Sequence, residues 1–368
     1  MVRGIAGLCL AMGLLAALPA LAQRVEGDRA GASGVFEAEV PVNNQTDTER
    51  NNGFARALAQ VLAKISGDRA ATARPGVGQE LRRARDYVSS YDYRQDQGVS
   101  ATGAPTFRTT LIVRFDQAKV EGVISALGLP VWPQPRPKPV LWLAIDDGKG
   151  PRLVGLNQSN AARSILDRAI ERGYRLGLPS GSAAELAAVG AIWRGDSGAI
   201  SRLSARYSPP MQLIGKLYRK GAGWKADWVF VDSGRVLSKW SSEEGDARRA
   251  MAAGADGAAD ALIRRYARQS GGAGPAGNYR VQITGIDSAD DYIRLMSHLQ
   301  EISVVRRIRP ISASPEGLLL ELELVSGLPG FRRMTQGRGI LVGSEPAAGA
   351  EEGEATTATP AVPTFDLR

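Results

Sequence analysis

Cysteine and histidine are almost absent. One of each occurs in 368 residues, Cys9 and His298. No Cys₄, Cys₂His₂ or His₃ zinc site can be assembled from them, and no CxxC redox pair exists. Long apolar runs are equally scarce. Beyond the first 22 residues nothing approaches the ~18 needed to span a bilayer as a helix. No Walker pattern is present, and the glycine run GGAGPAG (271–277) contains a proline and follows a helical pattern rather than a strand. No G-x-S-x-G elbow accompanies the single histidine. These absences leave no expected cofactor, no metal and no nucleophilic triad.

What is present begins with an address. Residues 1–22 read MVRGIAGLCLAMGLLAALPALA. Arg3 supplies a basic start, Ile5 to Leu18 an apolar stretch, and Ala20-Leu21-Ala22 a cleavage signal, with Gln23 as the new N-terminus. The pattern predicts an exported, periplasmic protein that loses Cys9 with its leader, has no transmembrane segment afterwards and uses no disulfide. Net charge is +8, carried by arginine: 38 of the 46 basic residues are Arg. Export argues against nucleic acid as the partner of that charge, and no Lys/Arg block of tail length occurs, so the basic residues read as solvated faces.

The chain divides at composition shifts. Residues 34–127 predict an α+β domain in the order β-α-α-β-β-α. Its first helix opens on the capping-box pattern Thr46-x-x-Glu49 and closes at Gly67. Asp116 is the expected cap of its last helix. A proline-rich segment, 128–139 (GLPVWPQPRPKP), reads as a semi-rigid spacer. Residues 140–268 predict a middle α/β domain of mixed sheet, βαβααβββα. It starts with the buried strand VLWLAI and has a second strand at Tyr174–Leu178. Residues 269–277 read as a flexible glycine-rich joint. Residues 279–344 show the βαββαβ order of a ferredoxin-like domain. The acidic Ala/Glu/Thr/Pro-rich tail, 346–368, is expected to be disordered.

Several segments together carry a resemblance: VPV (40–42), LAQVLAKISG (58–67), YVSSYDYR (87–94), RPKPVLWLAIDDG (136–148), RGYRLGLP (172–179) and LSARYSPPMQLIGKLYRKGAGWKADWVF (203–230). The set resembles the uncharacterised DUF2066 family of exported proteobacterial proteins over roughly residues 24 to 270. At fold level the first domain is similar to the N-terminal module of FlgT. The middle domain, with AR-Y-x₄-L-I-G-K (205–216), is similar to the N-terminal domain of TolB and the periplasmic part of CsgG. Those likenesses imply an envelope assembly or secretion component and bring no catalytic residue with them.

Four groups of residues are candidates for function. Asp146-Asp147 follows a buried strand, where an open α/β sheet places ligands and where a carboxylate pair suits Mg²⁺. Adjacent residues on an extended chain point opposite ways, however, and Asp147-Gly148 also reads as a turn. Arg206-Tyr207 ends a helix before Pro209-Pro210, which fits a C-terminal cap or an interdomain contact better than a ligand site. Trp224, Trp228 and Trp240 lie on neighbouring strands, the arrangement of a sugar-stacking platform or of ordinary cross-strand pairs. His298 flanks the apolar face of its helix and is expected exposed or half-buried. The sequence therefore predicts a non-enzymatic envelope protein acting through protein contacts. A peptidoglycan or glycan-binding module is the alternative, and a carboxylate-based hydrolase the third reading.

Overall fold

The computed structural model describes residues 34–99, 105–336, 339–343 and 362–368. The expected leader and its cleavage site at Ala22-Gln23 lie outside the described residues.

The first domain begins with β1 (Glu37–Val42) and α1 (Asp47–Ser66). Ala38, Val40 and Val42 alternate inward on β1 and meet Phe54, Leu58, Val61 and Leu62 of α1. Thr46 caps α1 by accepting from the Glu49 N–H at 3.4 Å, while Glu49 reaches past it to the Asn43 N–H and to Arg56. A short α2 (Val77–Arg82) follows, then β2 (Val88–Val99), β3 (Pro105–Phe115) and α3 (Gln117–Ala126), the last capped by Asp116. The sheet order is β1-β3-β2, all antiparallel.

α1 ends at Gly67, whose φ of 72° is left-handed and whose missing Cβ leaves room for Ile263; a Cβ there would lie 2.6 Å from that side chain. Gly67→Ala combines backbone strain with a clash across a domain junction. A loss of about 1–2 kcal/mol is expected. Urea unfolding checks it, and a loss under a few tenths of a kcal/mol would contradict the junction.

The proline-rich segment is packed rather than solvated. Pro130–Val131 forms β4. Trp132 is 1% exposed, its backbone N–H donates to the Ile65 carbonyl at 2.7 Å, and the Arg136 guanidinium stacks over its ring at 4.1 Å. Proline spacing signals a stiff chain, but burying one indole outweighs keeping that chain in water.

In the middle domain come β5 (Val140–Asp146), β6 (Arg152–Leu153), α4 (Arg163–Glu171), α5 (Ala183–Leu186), α6 (Val189–Arg194) and α7 (Ser197–Leu203). They are followed by β7 (Met211–Lys220), β8 (Gly223–Asp232), β9 (Arg235–Glu244) and α8 (Ala247–Tyr266). The sheet runs β6-β5-β7-β8-β9, with β5 and β7 parallel. The strand expected at Tyr174–Leu178 is reduced to one parallel bridge, Gly177 to Val140. Pro179 follows at once and has no N–H to continue a ladder. α4 and α8 cover one face of the sheet, and α6 and α7 cover part of the other.

The glycine-rich joint is docked too. Arg268–Gln269, β10, pairs with β4. The Gly274 N–H donates to the Ser326 carbonyl at 2.7 Å, and Ser125 Oγ to that of Gly271 at 3.2 Å. Small residues here serve close approach rather than freedom.

The third domain has β11 (Gly277–Thr284), α9 (Ala289–Glu301), β12 (Val305–Ser314), β13 (Gly317–Leu324), α10 (Gly327–Gln336) and β14 (Leu341–Gly343). A strand not expected at all, β15 (Thr364–Leu367), comes from the tail predicted to be disordered. The sheet order β12-β13-β11-β15-β14 is the ferredoxin-like arrangement with β15 wedged between its first and fourth strands. Thr364-Phe365-Asp366-Leu367 alternates, and Phe365 and Leu367 bury the apolar half. Average composition of the tail hid this local pattern. His298, expected exposed or half-buried, is 5% exposed.

The first and third domains share one core, in which Val77, Leu127 and Leu129 join the cluster containing Leu299, Val304 and Phe331. Arg83 pairs with Glu301 at 2.7 Å across the same junction. The described residues thus gather into one compact α+β unit. Among the described residues no helix is long and apolar enough to cross a membrane.

Candidate functional site

α6 and α7 cover only half of their side of the middle sheet. Val140, Trp142, Ile214 and Val231 pack under them, and the Trp142 indole N–H donates to Ser204 Oγ at 2.8 Å. Beyond the end of α6, the sheet face turns polar. The register sets Lys216 opposite Asp227, Asp227 opposite Ser241, and Val229 opposite Lys239. An open groove of about 400 Å³ lies there, lined by Arg194, Lys216, Asp227, Lys239 and Ser241.

Its charges are fixed. Asp227 accepts from Ser241 Oγ at 2.6 Å and Tyr218 OH at 3.1 Å, with Lys216 Nζ at 3.5 Å. Burial raises the pKa of this carboxyl, but those hydrogen bonds and the Lys216 and Lys225 ammonium groups win, and it stays below its ordinary value. Tyr218 is pushed up by burial and by its bond to Asp227. Lys216 sits over the rings of Trp193 and Tyr218, at 5.9 and 5.8 Å. Asp227 is thus engaged on every side by Ser241, Tyr218, Lys216 and Lys225. With Arg194, Lys216 and Lys239 around it, the groove presents a surplus of positive charge suited to an anionic group. Among the described residues no group of three or more His, Cys, Asp or Glu is placed to hold a metal ion.

The sequence candidates fall elsewhere. Asp146 closes a turn on itself: its Oδ1 accepts from the Gly148 N–H at 2.8 Å and the Gly150 N–H at 3.0 Å. Asp147 points away to Arg152 at 2.7 Å. The slight burial of Asp147 raises its pKa, yet Arg152 and the Lys149 N–H hold it below the ordinary value. The two carboxylates share no partner, as an extended chain predicts.

Arg206 and Tyr207 clasp a residue the sequence reading passed over, Glu185. Glu185 is 2% exposed and accepts from Ser180 Oγ at 2.7 Å, the Gly181 and Ser182 N–H groups at 2.9 and 2.8 Å, and Tyr207 OH. Arg206 lies 3.4 Å from the same carboxylate and donates to Ser180 Oγ at 2.7 Å. Burial raises this carboxyl, but the Tyr207, Ser180 and Ser182 hydrogen bonds outweigh it and bring the pKa to about 2. The signal was legible: Ser182-x-x-Glu185 is a capping box at the start of α5.

Trp228 and Trp240 stack beneath α8 with ring centroids 6.5 Å apart. Trp228 is 1% exposed, and Trp240 donates its indole N–H to the Ala253 carbonyl at 3.2 Å. Trp224 is half-buried, with the Arg219 guanidinium over its ring at 4.3 Å. The three do not form one exposed aromatic surface.

A second cavity, about 300 Å³, opens where the first and middle domains meet and is lined by Arg136, Lys138, Tyr174 and Arg175. Below it Lys64 is buried, donates to the Glu37 carbonyl at 2.6 Å and is pushed down to about 8 by desolvation. Asp256 of α8 ties the same junction together. It meets Arg69 at 2.6 Å, and Arg168 and Arg172 at 3.0 Å.

Residues 29–133 match the family model of a domain of unknown function (DUF8605). No curated protein matches the chain, and no solved structure does. The matched stretch covers the first domain and the start of the proline-rich segment, and ends on Pro133, one residue past the buried Trp132.

Proposed function

We propose that this is a periplasmic, non-enzymatic protein that assists envelope assembly through contacts with other proteins. The observation that carries the reading is the β2–β3 ribbon. β1 stops pairing at Val42, opposite Thr109, whereas β2 and β3 stay paired through Gln97–Phe107 to Val99–Pro105. An arm of two strands therefore extends past the sheet. Phe107 on it is 64% exposed, among the most exposed large apolar side chains of the described residues. An aromatic side chain held out on a paired backbone is a preorganised anchor for a protein partner, since little entropy remains to be lost on binding.

Three further features support the reading. The leader-like first 22 residues point to export. The acidic side chains in the candidate groove and clasp are each engaged by hydrogen bonds from neighbouring side chains, which suits a positioning role. The resemblance to exported DUF2066 proteins agrees with it.

The test is in-cell photocrosslinking from a phenylalanine analogue at position 107, with Arg249 as an exposed control position, followed by mass spectrometry. Reproducible capture of the same envelope protein from 107 and not from 249 is expected. Capture of nothing but the protein itself, together with co-sedimentation of the purified protein with sacculi, would sink the reading in favour of glycan binding.

A further inference from the structure

β15 is held in its sheet by strands on both sides and not only by its covalent attachment. It pairs on both sides: parallel to β11 through Gln282–Thr364, Ile283–Phe365 and Thr284–Asp366, and antiparallel to β14 through Leu341–Leu367, Val342–Asp366 and Gly343–Phe365. Further bonds hold it along its length. The Gln282 N–H donates to the Pro363 carbonyl at 2.9 Å, the Arg368 N–H to that of Ile340 at 3.0 Å, and Thr284 Oγ1 to Asp366 Oδ1 at 3.0 Å. Phe365 is fully buried and packs edge-on against Phe331 at 5.1 Å.

Gly343 and Phe365 are register partners, so the chain leaves β14 and re-enters β15 side by side. A turn of two to five residues closes such a pair (about 2–5 in hairpins). Here residues 344–361 intervene, a stretch of Ala, Glu, Gly, Thr and Pro with no large apolar side chain. At ~3.3–3.6 Å per residue that stretch reaches about 60 Å. A link of this many residues is worth an effective concentration on the order of millimolar, so a strand from a second copy competes as the protein concentration approaches that range. The slot therefore recognises the strand by backbone pairing and by Phe365 and Leu367, and an identical strand meets it equally well.

We propose that the slot between β11 and β14 is a strand-binding site that takes residues 362–368 of a second copy of this chain as well as its own. Exchange conserves every one of these contacts, because the same residues fill the same register. Its only cost is association. Among the described residues β14 pairs with β15 alone, so the incoming strand also fixes β14 to the sheet.

Thr284 and Asp366 touch, which makes them a cysteine pair. In a Cys9→Ser background, full-length Thr284→Cys is mixed with full-length Asp366→Cys and oxidised. A disulfide-linked heterodimer is expected, its share rising with total concentration and falling when a peptide of residues 362–368 is in excess. Asp366→Cys mixed with Arg249→Cys sets the background. The proposal is overturned if the heterodimer stays at background while the double variant Thr284→Cys/Asp366→Cys closes within one chain. It is overturned equally if the double variant does not close, since the strand then does not occupy the slot.

Discussion

Replacing Trp228 by alanine lowers the unfolding free energy by about 3–5 kcal/mol. The indole is 1% exposed and sits between β7 and α8. Both walls of its slot are glycine: a Cβ at Gly215 would lie 2.1 Å from the ring, and one at Gly254 2.5 Å. Glycine walls hold no side chain that can swing in to fill the void. Apart from Trp240, which stacks on the ring, nothing on these two walls can fill the void left by Trp228→Ala, so the loss falls within that range. Urea unfolding followed by far-UV circular dichroism measures it. A loss below about 1 kcal/mol would mean that the sheet and α8 close over the gap, contrary to the packing described here.

Glu185→Gln costs about 2–3 kcal/mol at neutral pH, because a buried carboxylate with charge-assisted bonds becomes an amide whose NH₂ faces donors. The pH dependence follows from the depressed pKa. The folded value is about 2, against an ordinary value of 4.5. The stabilisation is complete above the ordinary value and is lost as pH falls from there through about 2. The gap between wild type and Glu185→Gln is thus widest at neutral pH and shrinks across that acid window. Urea midpoints of both proteins at neutral pH, near pH 4 and near pH 2.5 test this. A gap that stays constant with pH would refute the clasp. Tyr207→Phe should lose part of the same stability, since it removes one donor from Glu185 and leaves the ring in place.

Local signals in this chain were reliable where one turn or one strand decided the outcome. Thr46 and Asp116 cap helices as their spacing predicts. The alternation of β1 and β13 matches their burial. Asp146 and Asp147 diverge because successive side chains on an extended backbone must. The errors came where composition was read as behaviour. Five prolines between 128 and 139 suggested a spacer, yet Trp132 in their midst is buried under Arg136. Four glycines between 271 and 277 suggested a joint, yet the segment is bonded to Ser125 and Ser326.

The sequence by itself determined the α+β class, the order of elements in the first domain and many helix starts, since these depend on periodicity and on groups within four residues of each other. Tertiary structure alone decided three things. It joined the first and third domains into one core, it set Arg194, Lys216, Asp227 and Lys239 around one groove, and it drew Thr364–Leu367 into a sheet beside β11. Each depends on pairing between segments tens to hundreds of residues apart. Such pairing is chosen by the apolar area and backbone hydrogen bonds left unsatisfied elsewhere in the fold, a quantity no local window of the sequence contains.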